Sequence, residues 1–175
     1  MKKWILILAG ALALIVAVAY EVGARLPRDH VATVRAHFRQ PPDSIYRLLS
    51  DVAAYPAWRS DVEVVQREPD RNGHVRWRER DHTGAFEFEF TVAVRPTRLV
   101  SSMVTPDAGF TGRWIYQILP DENGTTLTIT EEGSVDDPLF RFLSRVVFGK
   151  YGSMERLLRA LGKRFGEIAL PVRVI

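Results

Sequence analysis

Side chains able to do acid–base or nucleophilic chemistry are few in this chain, and their spacing removes most reaction classes. There is no cysteine, which excludes a disulfide framework, a thiolate metal site and a cysteine nucleophile together. His30, His37, His74 and His82 lie in separate segments without H-x-H or H-E-x-x-H spacing, so no metal site is expected. No G-x-S-x-G elbow, P-loop or G-x-G-x-x-G turn occurs, and no cofactor is expected. Two carboxylates remain, Glu79 and Glu131, which the strand pattern turns toward aromatic faces.

The turn chemistry of Asp81-His82-Thr83-Gly84 sets a register for the first of them. Pairing Arg80 with Ala85 places Arg78 against Glu87 and Arg76 against Glu89, an ion-paired face suited to water. The opposite face then carries Val75, Trp77 and Glu79 against Phe86, Phe88 and Phe90. The Asp121-Glu122-Asn123-Gly124 turn does the same for the second acid. Pairing Pro120 with Thr125 sets Ile118 against Leu127, Tyr116 against Ile129 and Trp114 against Glu131, leaving Thr126, Thr128, Thr130 and Glu132 outside.

Two acids on one cavity wall could remove and return a proton on a bound apolar substrate, as the candidate catalytic pair. They could equally orient a ligand hydroxyl or hold a buried arginine, since an unpaired buried carboxylate either raises its pKa or recruits a partner. The expected pocket lining is Trp58, Trp77, Glu79, Phe86, Phe88, Phe90, Trp114, Tyr116 and Glu131, with Leu157 and Leu161 from a helix. Aromatics at period two also read as plain core.

These residues need a sheet and a helix to position them. Residues 30–38 alternate as a strand, and Pro41-Pro42-Asp43-Ser44 opens a short helix, followed by a helical turn near Tyr55-Pro56-Ala57-Trp58. Strands are expected at 62–68, 74–80, 85–95, 98–104, 112–119 and 125–133, joined by turns too short for anything but antiparallel neighbours. After Asp136-Asp137-Pro138 the period becomes helical, with Leu139, Leu143, Val146, Val147, Met154, Leu157, Leu158, Leu161, Phe165 and Ile168 on one face. Gly149 and Gly152 are positions where that helix could kink or break. Arg141, Arg145, Arg156, Arg159 and Lys163 form the opposite stripe, which reads as a solvated face or as a surface for anionic headgroups.

The N-terminus is different in kind. Lys2 and Lys3 precede an unbroken apolar run from Trp4 to Tyr20, which as a helix spans roughly 25 Å. With Val22 to Ala24 and interfacial Trp4 and Tyr20 it can cross a bilayer. Ala17-Val18-Ala19 also fits a signal-peptide cleavage site, but the run length and the lack of a polar segment before that site favour an anchor. The segments are therefore 1–24 anchor, 25–29 linker, 30–170 domain and 171–175 tail. A short basic N-terminus points to a single-pass protein of the cytoplasmic (inner) membrane with its domain on the periplasmic or extracellular side.

Charge argues against nucleic acid as a partner. The formal net charge is +3, but without Lys2, Lys3, Arg25 and Glu21 the remainder holds 21 basic against 20 acidic residues. A nucleic-acid binder shows a clear basic excess on one face.

Pro41-Pro42-Asp43-Ser44-Ile45-Tyr46-Arg47-Leu48-Leu49-Ser50-Asp51, Tyr55-Pro56-Ala57-Trp58, Trp77-Arg78-Glu79, Trp114-Ile115-Tyr116 and Pro138-Leu139-Phe140-Arg141-Phe142-Leu143 together resemble the SRPBCC (START-like) superfamily, within it the polyketide cyclase/dehydrase-like group. The resemblance implies an α+β helix-grip fold. In that fold a curved seven-stranded antiparallel sheet wraps a long C-terminal helix, and two short helices follow the first strand. It also implies a hydrophobic small molecule or lipid as ligand. A membrane-held binding or carrier domain is the first functional expectation. A polyketide cyclase or dehydratase is the second, and a protein-interaction module with an unidentified partner the third. The fold hosts many functions, so the resemblance carries no catalytic residue with it.

Overall fold

In the computed structural model, residues 2–105 and 109–174 are described, apart from the side chains of 147 and 148. The chain opens with α1 (Lys2–Arg25), which is long and apolar enough to cross a membrane, and continues into β1 (Asp29–Phe38). Next come α2 (Pro42–Ser50) and a 3₁₀ turn (Val52–Ala57), and then the meander β2 (Val64–Arg71), β3 (His74–Asp81), β4 (Gly84–Val94), β5 (Arg98–Met103), β6 (Phe110–Asp121) and β7 (Gly124–Val135). The chain closes with α3 (Pro138–Phe142), a π-helical turn (Leu143–Phe148), α4 (Gly152–Arg164) and β8 (Val172–Val174).

The sheet is antiparallel in the order β2-β3-β4-β5-β6-β7-β1-β8. It has eight strands, one more than expected, because Val172–Val174 pairs with Thr33–Arg35 instead of trailing as a tail. Both hairpin registers fall as expected, with Arg80 opposite Ala85 and Pro120 opposite Thr125. Outside, Arg78 pairs with Glu87, and Arg76 lies 3.3 Å from Glu87 and 3.9 Å from Glu89.

The C-terminal helix is not continuous. The π turn ends at Gly149, whose φ of 71° lies in the left-handed region that glycine enters without the strain a side chain brings. The grip on the main core comes from α4: Met154, Leu157, Leu158 and Leu161 are buried with Val34, Phe38, Ile118, Leu127 and Ile129. Two positions expected on its apolar face are exposed, Val146 at 60% and Ile168 at 90%, because the π turn re-phases the side chains and α4 ends before Ile168. Val147 has its side chain outside the described residues.

Arg141 also departs from expectation. It is 4% exposed and donates to the carbonyls of Gly23, Leu26, Val135 and Asp136. Arg145 donates to those of Pro27 and Asp29. Neither is free on a basic surface stripe. Four of these acceptors, Gly23, Leu26, Pro27 and Asp29, lie at the end of α1 and in the linker, so the arginines tie that segment to α3 and the π turn. Arg156, Arg159 and Lys163 are exposed on α4.

Candidate functional site

The inner face of the sheet divides across its width. At the end away from α1, Leu99, Tyr116, Ile129 and Val34 lie side by side across β5, β6, β7 and β1, and all are buried. Ile118, Leu127 and Phe38 continue this solid apolar half. One register step toward α1, the row is Phe90, Ser101, Trp114, Glu131 and Ala32. Beyond it come Trp77 with Phe88 and Met103, and His30 with Gly133 and Gly112. Glu79 sits opposite Phe86, and Phe110 opposite Val135, at the rim. Every inward polar group named here except Tyr116 lies in the half nearer α1.

Glu79 is held by an arginine. Arg59, just after the 3₁₀ turn, places Nη2 2.9 Å from Glu79 Oε1 and 2.8 Å from Asp61 Oδ2. The Arg59 and Glu79 side chains are only 12% and 13% exposed. Trp77 Nε1 donates to the other Glu79 oxygen at 3.2 Å, and the guanidinium lies over the Tyr55 ring, 4.9 Å from its centroid. Burial pushes the Glu79 carboxyl above its ordinary value, and the Arg59 charge and Trp77 N–H offset this only in part. Burial opposes the charge on Arg59, but the hydrogen bonds it donates to Asp61 and both carboxylate charges outweigh it and hold the guanidinium protonated. Asp61 is likewise pulled below its usual range by Arg59 despite its own burial.

Glu131 has different company. Its Oε1 is 3.0 Å from His30 Nε2 and its Oε2 accepts from Trp114 Nε1 at 2.8 Å. His30 and Glu131 are 18% and 19% exposed. Gly133 makes this possible: a Cβ there would stand 2.5 Å from His30 Cε1, so the imidazole occupies space that any other residue would fill. Between the clusters, burial pushes the Tyr116 phenol upward, and it feels the charges of Arg59, Glu79 and Glu131 together. Tyr55, whose phenol burial also pushes upward, donates to Leu49 O at 2.6 Å.

Of the lining residues expected from sequence, Trp77, Phe90, Tyr116, Leu157 and Leu161 are fully buried in the main core. Trp58, Phe86, Phe88, Trp114, Glu79 and Glu131 are half-buried at the α1 end. Among the described residues, Trp58 Nε1 is buried with no acceptor. Two open depressions stand out, one along α1 from Ala9 to Glu21 and one of about 470 Å³ over Val31, Ser102, Thr111 and Arg113. Neither lies between sheet and α4. The two acids do not meet as a pair, since each has its own partners. Sequence reasoning missed Arg59, Asp61 and His30. For His30 the signal was its parity with Ala32, which puts it on the inner face.

Chemically, the arrangement offers a fixed ion pair and an imidazole backed by a carboxylate, both beside aromatic surface. The folding pattern defines the class, a helix-grip (START-like) domain. The chain belongs to the family of polyketide cyclase/dehydrase and lipid transport proteins, whose profile matches residues 29–166. Norcoclaurine synthase from Thalictrum flavum superposes with a TM-score of 0.63 at 12% identity, over 79% of this chain and 87% of that one. A START superfamily protein from Mycobacterium smegmatis gives 0.58 at 18%, over 78% and 95%. The di-domain ARO/CYC StfQ of the steffimycin biosynthetic pathway gives 0.59 at 14%, over 79% and 52%. At these identities the likeness is one of fold. A comparison with curated proteins finds no match.

Proposed function

We propose that this chain is a membrane-anchored binding or carrier domain for a hydrophobic small molecule or lipid. In this reading 1–24 is the anchor, 25–29 the linker and 30–170 the binding domain, on the outer side of the cytoplasmic membrane. The observation that carries it is the division of the inner face. Half-buried aromatic side chains and partnered polar groups collect at the α1 end, while the other end is filled with a solid apolar core. A ligand there lays apolar surface on Phe88 and Trp114 and offers an oxygen to the unpaired N–H of Trp58. Pockets that are mostly apolar with a few convergent polar groups bind such molecules.

The test is native mass spectrometry and lipid extraction of the full chain, purified in its own membrane with detergent-free polymer. A stoichiometric apolar molecule, lost in a Trp114→Ala variant that remains folded, supports the reading. A chain that carries nothing and binds no fluorescent fatty-acid or polyaromatic probe overturns it and favours a protein-interaction module.

The His30–Glu131 contact favours a cyclase or dehydratase as second reading. A carboxylate-held imidazole can take a proton from a carbon acid and return it to a leaving hydroxyl. Turnover of a polyketide-like probe that stops in His30→Gln while binding persists would establish it.

A further inference from the structure

If α1 spans a bilayer, the way it joins the domain has a consequence for where the mouth of the fold lies. The junction is rigid. At Gly23 an added Cβ would stand 1.8 Å from Pro138 O, so the last turn of α1 and the start of α3 touch backbone to backbone. Arg141 spans the seam with Nη1 on Gly23 O at 3.1 Å and on Leu26 O at 2.9 Å. Its Nε and Nη2 hold Val135 O and Asp136 O at 3.0 and 2.9 Å. Arg145 fixes the linker through Pro27 O and Asp29 O at 2.8 and 2.9 Å. A buried guanidinium shared between two carbonyls of this segment and two at the end of β7 ties the segment to the domain.

The height of this seam follows from the helix. Gly23 is three residues past Tyr20, or about 4.5 Å along the axis. With Tyr20 at the membrane–water interface, where such rings settle, Pro138 and the residues after it stand at headgroup level. There the chain presents Phe140, 38% exposed, and Val146, 60% exposed. Phe140 packs on Phe110 at 5.3 Å, and Phe110 on Phe86 at 5.7 Å, so the same segment forms the rim above Glu79 and the half-buried belt.

We propose that α3 and the π turn, through Phe140 and Val146, form a bilayer-contacting surface that presses the rim of the grip onto the membrane interface. Ligand then passes between bilayer and belt without crossing water. This rests on the anchor of the proposed function and adds the contact surface and its partner, a lipid bilayer. The basic residues of α4 serve this less well. Phe165, at its end, packs on Phe38 at the far end of β1. From Arg156 to Lys163 the helix therefore climbs away from α1 by about 10 Å.

The chain has no cysteine, so single labels are unambiguous. An environment-sensitive fluorophore is placed on Leu12→Cys, Val146→Cys or Ile168→Cys of the full chain in phosphatidylcholine nanodiscs, with and without brominated acyl chains. The expected result is loss of emission at 12 and at 146, with 168 unaffected. Quenching at 12 with 146 matching 168 overturns the proposal and leaves the anchor standing. No quenching at 12 removes the anchor reading, and the proposal with it. Gly23→Leu, which forces α1 off Pro138, is expected to abolish quenching at 146 while position 12 stays quenched. Unchanged quenching at 146 in that variant refutes the rigid seam.

Discussion

Arg59 faces two carboxylates unequally, and removing either side of the ion pair should show it. Replacing Arg59 by Met leaves Glu79, 13% exposed, without its cation. Breaking a sheltered pair from one side costs about 3–5 kcal/mol, and the lower figure applies here because Trp77 still donates to the carboxylate and Asp61 is a third exposed. Glu79→Gln should cost only about 1 kcal/mol, because Arg59 keeps Asp61 and the amide oxygen still accepts from Trp77. With a urea slope of about 2 kcal/mol/M, the two midpoints should differ by about 1 M. The gap should also depend on pH. The folded Glu79 carboxyl has a raised pKa, so the folded chain binds this proton more tightly than the unfolded chain. Ionising it costs stability as pH rises above the ordinary carboxylate value. Without Arg59 that pKa climbs further, so the Arg59→Met deficit should shrink when pH falls from about 8 to about 5. Asp61, held low by Arg59, stabilises the wild type above its ordinary value and loses this as pH falls, which shrinks the deficit further in acid. Urea unfolding of the full chain in mild detergent, followed by tryptophan fluorescence, measures both effects. Equal midpoints for the two variants, or a deficit that does not change with pH, would refute the argument.

Gly133→Ala should destabilise by about 1–3 kcal/mol, because the new methyl displaces the His30 ring. His30→Ala should then relieve it, and strict additivity in thermal unfolding would show that the ring does not lie there. Trp114→Phe keeps the ring surface but removes one donor from Glu131, which should cost about 1–2 kcal/mol in chemical denaturation. An unchanged midpoint would mean that water replaces the indole N–H. Replacing Arg59 and Glu79 together by Leu should be far milder than Arg59→Met alone, near neutral to about 2 kcal/mol stabilising, while ligand capture in native mass spectrometry is lost. A double variant less stable than the single one would show that the pair is needed for folding.

The parts of the fold that sequence made legible are those set by nearby residues. The Asp81–Gly84 and Asp121–Gly124 turns each fix a register, and register fixes which side chains face inward. Register alone puts Glu79 on the same face as Trp77 and Glu131 opposite Trp114. Long-range partners were hidden. Arg59 meets Glu79 from outside the sheet, and no local pattern connects them. Periodicity puts Arg141 on a wet stripe because side-chain spacing says nothing about carbonyls, and carbonyls are what it binds. The break falls at Gly149, one of the two glycines where the sequence allows it, but the apolar spacing continues across it and hides the π turn that precedes it. β8, only the three residues Val172–Val174, is too short for alternation to show.

The asymmetry of the interior is itself informative. The half away from α1 shows that this sequence can fill the space between sheet and α4 with Val, Leu, Ile and Phe at near-zero exposure. In the other half it places a guanidinium, two carboxylates and an imidazole in sheltered positions. An ion pair removed from water is seldom better for stability than well-packed aliphatic side chains, and a buried indole N–H without an acceptor is a direct cost. Costs gathered at one end of an otherwise well-filled core mark the place where folding and function pull in different directions. That end is also where Arg141 and Arg145 fasten α1. The polar belt, the aromatic rim and the apolar helix therefore form one contiguous region, and a molecule held by the belt would sit beside whatever surrounds the helix.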